Sequence, residues 1–540
     1  MAQSTVILPL EKTPTPVKTK QTLALIIVLS VLVRGLLAWW LELGNDEVYY
    51  WTYALYPALS HFDHPPMVGF FIQVFSFNLF WDNELFLRLS SVVLGGFNTW
   101  IIYNIGREIK NPTTGLYAAL LYNASVYCFV IAGIFILPDT PQLFFWLLSL
   151  YLLVTSLPAQ PVEKRHGWRL LLAAVTIGLA MLSKYTSVFL WLGAGLYILL
   201  YNRAWLRRAE LYAGIAISAI IFVPVIIWNF QNNFISFTFQ SERIGFFGNG
   251  LRLDYFFTEL FGQIGYNNPV NFVLIVLALI AILRKRKFLS AAPQRMLLLT
   301  SLPLIGLFLF FALFRRTLPH WTGPAYLSLI IIAAAWLADI AARRKKTKLW
   351  IPRSVVASVG LLMVVLTVGV VEIKSGLLVP TRYDDPRTVG NNDITLDMYG
   401  WRQLATKFDS LLQADVSSGY MPADAPMISH RWFPAAHLDY YVAHPAGLPL
   451  IAISSLGDIH KYAWINRERP PLQPGSDAWY ITGSRDFNMP AYLFEYYKHI
   501  EVPDIIRITK GNKHVENFFV YRLRDLYRQP KDVLTGIEKE

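Results

Sequence analysis

Pro65-Pro66-Met67-Val68-Gly69-Phe70-Phe71-Ile72-Gln73-Val74-Phe75-Ser76-Phe77-Asn78-Leu79-Phe80 decides how this chain is threaded. If the stretch crosses a membrane, every later helix points the other way. At about sixteen residues it falls short of the about twenty that a helical span needs, and a proline pair suits the first turn of a helix starting there. The basic loops give an independent reading. Arg107 with Lys110, Lys164 with Arg165, Arg203 with Arg207 and Arg208, Arg284 to Lys287, and Arg343 to Lys348 share the side of Lys12, Lys18 and Lys20 only if 65–80 does not cross. Cytoplasmic loops collect lysine and arginine, so the stretch is read as a helix lying in the outer interface. The N-terminus is then cytoplasmic, and residues 374–540 lie on the opposite face.

Outward from this stretch, apolar runs recur near 22–41, 85–105, 113–136, 140–157, 169–183, 185–201, 211–229, 268–283, 296–314, 321–340 and 351–373. They predict a polytopic α-helical membrane protein with about eleven transmembrane helices. Composition agrees. Of 540 residues, 54% are hydrophobic and only 16% charged, with a mean hydropathy of +0.40, which leaves too little polar surface to cover a water-soluble body of this size. The net charge of +12 is accounted for by the basic cytoplasmic loops rather than by nucleic-acid binding. A single cysteine, Cys128, excludes an intrachain disulfide and a cysteine-based zinc site.

Residues 1–20 read as a disordered cytoplasmic tail, and the run 22–41 as a retained signal anchor, since it lacks a small-residue cleavage site. The membrane domain occupies 21–373, with 42–84 as its first external loop. After 373 the composition changes: short β-like runs (Met427–Ser429, Leu448–Ile453, Trp479–Thr482, Phe518–Leu523) alternate with helical patterns near 399–413 and 433–443. A C-terminal extracytoplasmic α/β domain over 374–540 is expected.

The external loops carry the chemistry-bearing residues. The first reads Gly44-Asn45-Asp46-Glu47-Val48-Tyr49-Tyr50-Trp51, then His61-Phe62-Asp63-His64 before the proline pair. Asn45 suits an N-cap, and Asp46 and Glu47 suit the first turn of a helix ended by Pro57. Successive helical residues point about 100° apart, so the two carboxylates serve separate purposes. Both are alternatively explained as complements to a helix dipole. Tyr49 and Tyr50 suit either stacking on a sugar or an aromatic interface belt. On the same face fall Asp139, within Leu137-Pro138-Asp139-Thr140-Pro141, and the basic residues Lys184, Arg243, Arg315, Arg316 and His320. Basic residues outside run against the positive-inside trend. Single ones snorkel to headgroups, but several at one depth point to an anionic ligand at the headgroup plane, with a lipid phosphate the obvious candidate.

These motifs carry a resemblance. The stretch from Asp46 to Pro65-Pro66, Pro138-Asp139-Thr140-Pro141, Gly178-Leu179-Ala180-Met181-Leu182-Ser183-Lys184-Tyr185, Trp228-Asn229, Leu318-Pro319-His320-Trp321 and Tyr399-Gly400-Trp401 together resemble family 39 glycosyltransferases of the GT-C membrane class. That class includes protein O-mannosyltransferases and the lipid A aminoarabinose transferase. The resemblance implies transfer of a sugar from a polyprenyl phosphate to a lipid, glycan or protein acceptor outside the cytoplasm, with inversion, in the inner membrane of a bacterium. By position Asp46 resembles the family's catalytic carboxylate, with Asp139 the alternative. His64 stands where the aminoarabinose enzyme has a phosphate-binding lysine, and Lys184, Arg243, Arg315, Arg316 and His320 are the other phosphate candidates. Asp63 stands where that enzyme has a glutamate metal ligand, so a divalent ion on Asp63 with Glu47 or His64 is a further expectation, although no spacing here is diagnostic of one.

The chemistry is coherent with those residues. A phosphate leaves as an anion and needs no general acid, unlike an ordinary glycoside. One carboxylate must take the acceptor proton, and cations must stabilise the leaving phosphate. A flippase for lipid-linked sugars is the competing class. It would place polar residues mid-membrane along a pathway, whereas here they cluster at outer helix ends with Arg34 the main exception.

Overall fold

In the computed structural model, which describes residues 17–244, 250–344, 350–378, 384–535 and 537, the 65–80 stretch forms one short helix and a loop. The membrane domain runs α1 (Val17–Trp40), α2 (Asn45–Leu55), α3 (Met67–Phe75), α4 (Glu84–Ile109), α5 (Pro112–Ala124), α6 (Asp139–Ser156), α7 (Lys164–Met181), α8 (Phe189–Tyr201), α9 (Ala209–Gln231), α10 (Ile235–Ile244), α11 (Leu253–Tyr266), α12 (Pro269–Leu283), α13 (Ala291–Leu299), α14 (Leu302–Phe311), α15 (Gly323–Arg343) and α16 (Arg353–Ser375). At nine residues, α3 rises only about 14 Å, under half a hydrocarbon core. One side of it packs on α2: a Cβ on Gly69 would stand 2.8 Å from the Tyr53 side chain, so only glycine permits this approach. Its other side exposes Phe70 and Val74, and Phe77, Phe80 and Trp81 follow, the surface of a helix lying in an interface.

Among the described residues, six helical stretches are long and apolar enough to cross a membrane: Thr19–Trp40, Glu84–Ile109, Ala209–Gln231, Ala291–Phe311, Pro319–Arg343 and Arg353–Ser375. The pair α11 and α12, bent by 101°, is a seventh if it counts as one span. The difference from about eleven lies mainly in α5 to α8. These have 13, 18, 18 and 13 residues and polar ends that dilute their apolar runs. α15 is the buried centre of the bundle, whereas α1, α9 and α16 turn most of their surface outward.

The C-terminal domain begins its regular structure at α17 (Trp401–Ser417), which packs on a six-stranded sheet of β1 (Met427–Ser429), β2 (Leu450–Ala452), β3 (Ala478–Gly483), β4 (Tyr497–Ile500), β5 (Asp504–Lys510) and β6 (Lys513–Leu526). The strand order is β2-β1-β3-β6-β4, with β5 also pairing β6. β1, β2 and β3 are parallel, and β6 is antiparallel to its neighbours. The four β-like runs of the sequence fall on β1, β2, β3 and β6. β4 and β5 escaped because their alternation is weak and partly exposed.

This domain sits directly on the 42–84 segment. Tyr441 accepts from the Leu43 amide at 2.7 Å, the Trp401 amide donates to Glu42 at 2.9 Å, and the Arg402 guanidinium pairs with Glu84 at 2.5 Å. Lys461 reaches furthest. Its buried amine donates to the Thr52 and Tyr56 carbonyls, at 2.8 and 2.7 Å, at the C-terminal end of α2, where the last carbonyls of a helix lack intrahelical partners.

Candidate active site

Four carboxylates converge around α2, and their partners separate them. Glu47 lies beside Arg88, both buried. Its carboxylate accepts from Arg88 Nε at 2.7 Å and from a terminal Arg88 nitrogen at 2.5 Å, and from the amides of Gly44 at 2.9 Å and Ile136 at 3.1 Å. Arg88 also donates to the carbonyls of Ala38, Leu41 and Glu42. The pair thus ties together the end of α1, the start of α2, α4 and the loop before α6. This corrects the expectation of Glu47 as a metal partner for Asp63: its oxygens are already used. Asn45 is not the N-cap either. Gly44 precedes the first helical residue, and the Asn45 side chain instead meets the ring of His437 at 2.9 Å.

Asp63 is buried and accepts from Tyr49 at 3.0 Å and from Tyr53. Burial alone would raise its carboxyl. The charges of His64 and His460 and the two phenols together outweigh it and hold the group below the usual carboxylate range. Tyr49 and Tyr50 are 1% and 5% exposed, so the interface-belt alternative is overturned. Their rings form part of the wall, with Tyr49 5.0 Å from Trp432 and 5.5 Å from Tyr53, and Tyr50 5.9 Å from His64.

Asp139 is buried against Lys184, whose ammonium lies 2.8 and 3.0 Å from its two oxygens, and it accepts from Tyr127 at 2.9 Å. A carboxylate held by an ammonium and a phenol is a poor proton acceptor, which corrects the reading of Asp139 as the alternative base. Lys184 keeps one of its three N–H bonds for a ligand. His320 stands nearby, 5.8 Å from the Tyr266 ring. Arg315 is half-buried, and among the described residues its Nε has no hydrogen-bond partner. Arg316 is exposed. The side chain of Arg243 lies outside the described residues.

Asp46 differs from the other three. Among the described residues no donor reaches its carboxylate, and its surface is exposed although protein surrounds it. Burial pushes its carboxyl up to about 6, and the negative charges of Asp63, Asp397, Glu47 and Asp139 push the same way. Such a group is a base near neutral pH without being strongly neutralised.

The residues missed from the sequence are those that hold this arrangement. Arg88 sits one turn into an otherwise apolar helix, and an arginine there is a signal that a buried acid is close. Lys461, Trp432 and His437 come from the C-terminal domain, nearly four hundred residues away, and nothing local marks them. Among the described residues no group of three or more His, Cys, Asp or Glu side chains gathers to hold a metal. Glu47 is held on both oxygens by Arg88 and two amides and is not open to a divalent ion, whereas the two phenols meet a single Asp63 oxygen, Oδ1.

Comparison with known proteins bears on the fold. The solved structure of ArnT from Cupriavidus metallidurans superposes with a TM-score of 0.60 over 93% of this chain and 98% of that one, at 14% identity. Its form bound to undecaprenyl phosphate gives the same TM-score at 15% identity, with the same coverage. The chain has the GT-C fold. A family model described as dolichyl-phosphate-mannose-protein mannosyltransferase matches residues 63–228, which reach from Asp63 past Asp139 and Lys184. The lipid A galacturonosyltransferase RgtD of Rhizobium johnstonii is 25% identical over 303 residues, 54% of this chain and 60% of that protein. A protein of Aquifex aeolicus is 25% identical over 302 residues, 54% of this chain and 56% of its own length. The chain therefore spans less than two thirds of these curated relatives. Together these likenesses bear out the resemblance of this GT-C protein to the family 39 glycosyltransferases.

Proposed function

We propose that the chain is a glycosyltransferase that moves a sugar from a polyprenyl-phosphate donor to an acceptor hydroxyl at the extracytoplasmic face of a bacterial inner membrane, with inversion. The observation that carries this reading is the state of Asp46: of the four carboxylates in the cluster, it alone is without a donor among the described residues. Asp46 takes the proton of the acceptor hydroxyl. The acceptor oxygen forms a bond to the anomeric carbon as the carbon–oxygen bond to phosphate breaks, and the phosphate leaves with the electron pair. The remaining N–H of Lys184, with His64, Arg315 and His320, supplies positive charge or hydrogen bonds to that phosphate. Neutralisation of the leaving phosphate is assigned to these side chains. An ArnT solved with undecaprenyl phosphate and a relative named for lipid A galacturonosyl transfer support the donor and reaction class.

Asp46→Asn tests the reading. It preserves size and removes basicity, so lipid binding is retained while transfer from a labelled polyprenyl-phosphate sugar falls about 10²- to 10⁴-fold. Parental turnover in Asp46→Asn would place the base elsewhere. The orientation has its own test: of cysteines placed at Asn111 and Ser476, only the second should react with an impermeant reagent in intact cells, and reaction at Asn111 alone would reverse it.

A further inference from the structure

The C-terminal domain carries a cavity of about 370 Å³ lined by Arg431, Trp432, Phe433, Asp458, Arg485 and Asp486, and its Trp432 packs against Tyr49 of α2. We infer that this cavity is the acceptor subsite and that it takes the neutral, hydroxyl-rich ring of a carbohydrate. The inference rests on the glycosyltransferase reading and names the acceptor class for it.

Position is the first argument. Trp432 lines the cavity and packs 5.0 Å from the Tyr49 ring, one turn along α2 from Asp46. His437, whose ring lies 5.9 Å from that of Phe433, meets Asn45, the residue before Asp46. Arg485 is ion-paired with Asp397, whose charge acts on the Asp46 carboxyl. Three side chains from one wall of the cavity are thus coupled to the segment carrying the proposed base.

Charge is the second. The lining holds two arginines and two aspartates, with a third aspartate behind Arg485, so it has no cationic excess with which to hold a phosphate or an acidic lipid. The facing ions are also not closed on one another. Arg431 stands 3.8 Å from Asp458 and 3.6 Å from Asp486, too far for direct hydrogen bonds. Oδ2 of Asp486 is buried with no partner among the described residues. The Arg431 guanidinium and the Oδ1 atoms of Asp458 and Asp486 thus remain open to a hydroxyl, which donates once and accepts twice, while Asp458 Oδ2 is held by Ser454 and Ser455. Trp432 and Phe433 add half-buried aromatic surface for the apolar face of a sugar ring. A peptide acceptor would instead call for an exposed strand edge or an apolar groove.

Chitobiose is a suitable neutral probe, titrated into the full-length protein in lipid nanodiscs and followed by saturation-transfer NMR, with inorganic phosphate and a serine-containing peptide in parallel. Saturable millimolar binding of the disaccharide is expected, with none of phosphate at this site. Asp486→Asn, which keeps shape, and Trp432→Phe, which reduces the aromatic surface, should each weaken it about three- to tenfold. Absence of saturable disaccharide binding, binding indifferent to the Asp458→Asn/Asp486→Asn pair, or preferential capture of phosphate or peptide would each overturn the inference. Sugar transfer from the lipid donor is assayed on the same sample. Transfer without disaccharide binding sinks the subsite and leaves the enzyme; disaccharide binding without any donor turnover sinks the enzyme and leaves the subsite.

Discussion

Replacing Arg88 by alanine should unfold the segment around α2. The Arg88 side chain is wholly buried and that of Glu47 nearly so, at 0% and 2% exposed. Two charge-assisted bonds join them, and three more run to the carbonyls of Ala38, Leu41 and Glu42. Removing the guanidinium leaves Glu47 as a buried charge without its counter-ion, which costs about 3–5 kcal/mol. Each carbonyl left bare adds about 1–3 kcal/mol unless water enters the space. The terms are not additive, but about 5 kcal/mol or more is expected, a large fraction of the 5–15 kcal/mol typical of a folded domain. Thermal unfolding of the purified protein in detergent, with limited proteolysis of the 42–66 segment, measures it. The cycle is completed by Arg88→Met with Glu47→Leu, which removes both charges at similar volume and should recover most of the loss. An Arg88→Ala variant within about 1 kcal/mol of the parent, or a double variant no better than the single one, would refute the argument.

Further consequences follow from the same contacts. With the Asp46 carboxyl raised to about 6, transfer should climb with pH through that value and level off above it; a flat profile from pH 5 to 8 would remove Asp46 as the base. The folded protein also holds that proton more tightly than the unfolded chain, so this group's contribution to stability is greatest at low pH and is lost as pH rises through about 6. Asp46→Asn should consequently melt higher than the parent at pH 8 and no higher at pH 4. Lys461→Met keeps the apolar stem but frees two buried carbonyls at the end of α2. It should destabilise by about 2–4 kcal/mol and raise amide exchange on both sides of the contact, and unchanged exchange would mean the domains dock without it. Exhaustive chelation should leave transfer intact; loss restored by a divalent ion would show that the carboxylates rearrange around a metal when the donor binds.

The helical bundle, the short α3 and the C-terminal sheet were legible because each depends on local periodicity. The apolar runs around α1, α4, α9, α15 and α16 mark helices long and apolar enough to cross a membrane, the shortness of 65–80 marks a helix below spanning length, and β1 and β3 are apolar enough to mark buried strands. Asp46 could be singled out because its place beside the first helix is a property of the sequence. The resemblance put Asp46 first and Asp139 second as the base, but the sequence could not show how each of the four carboxylates is engaged, since a carboxylate is made a base, a strut or a counter-ion by what lies within about 3 Å of it. Arg88, Tyr53 and Lys184 make that choice from positions 41, 10 and 45 residues distant in the chain, and Lys461 seals α2 from 409 residues away. Periodicity reports which face of an element is buried. Which donor meets which acceptor is a matter of tertiary distance, and only the folded chain decides it.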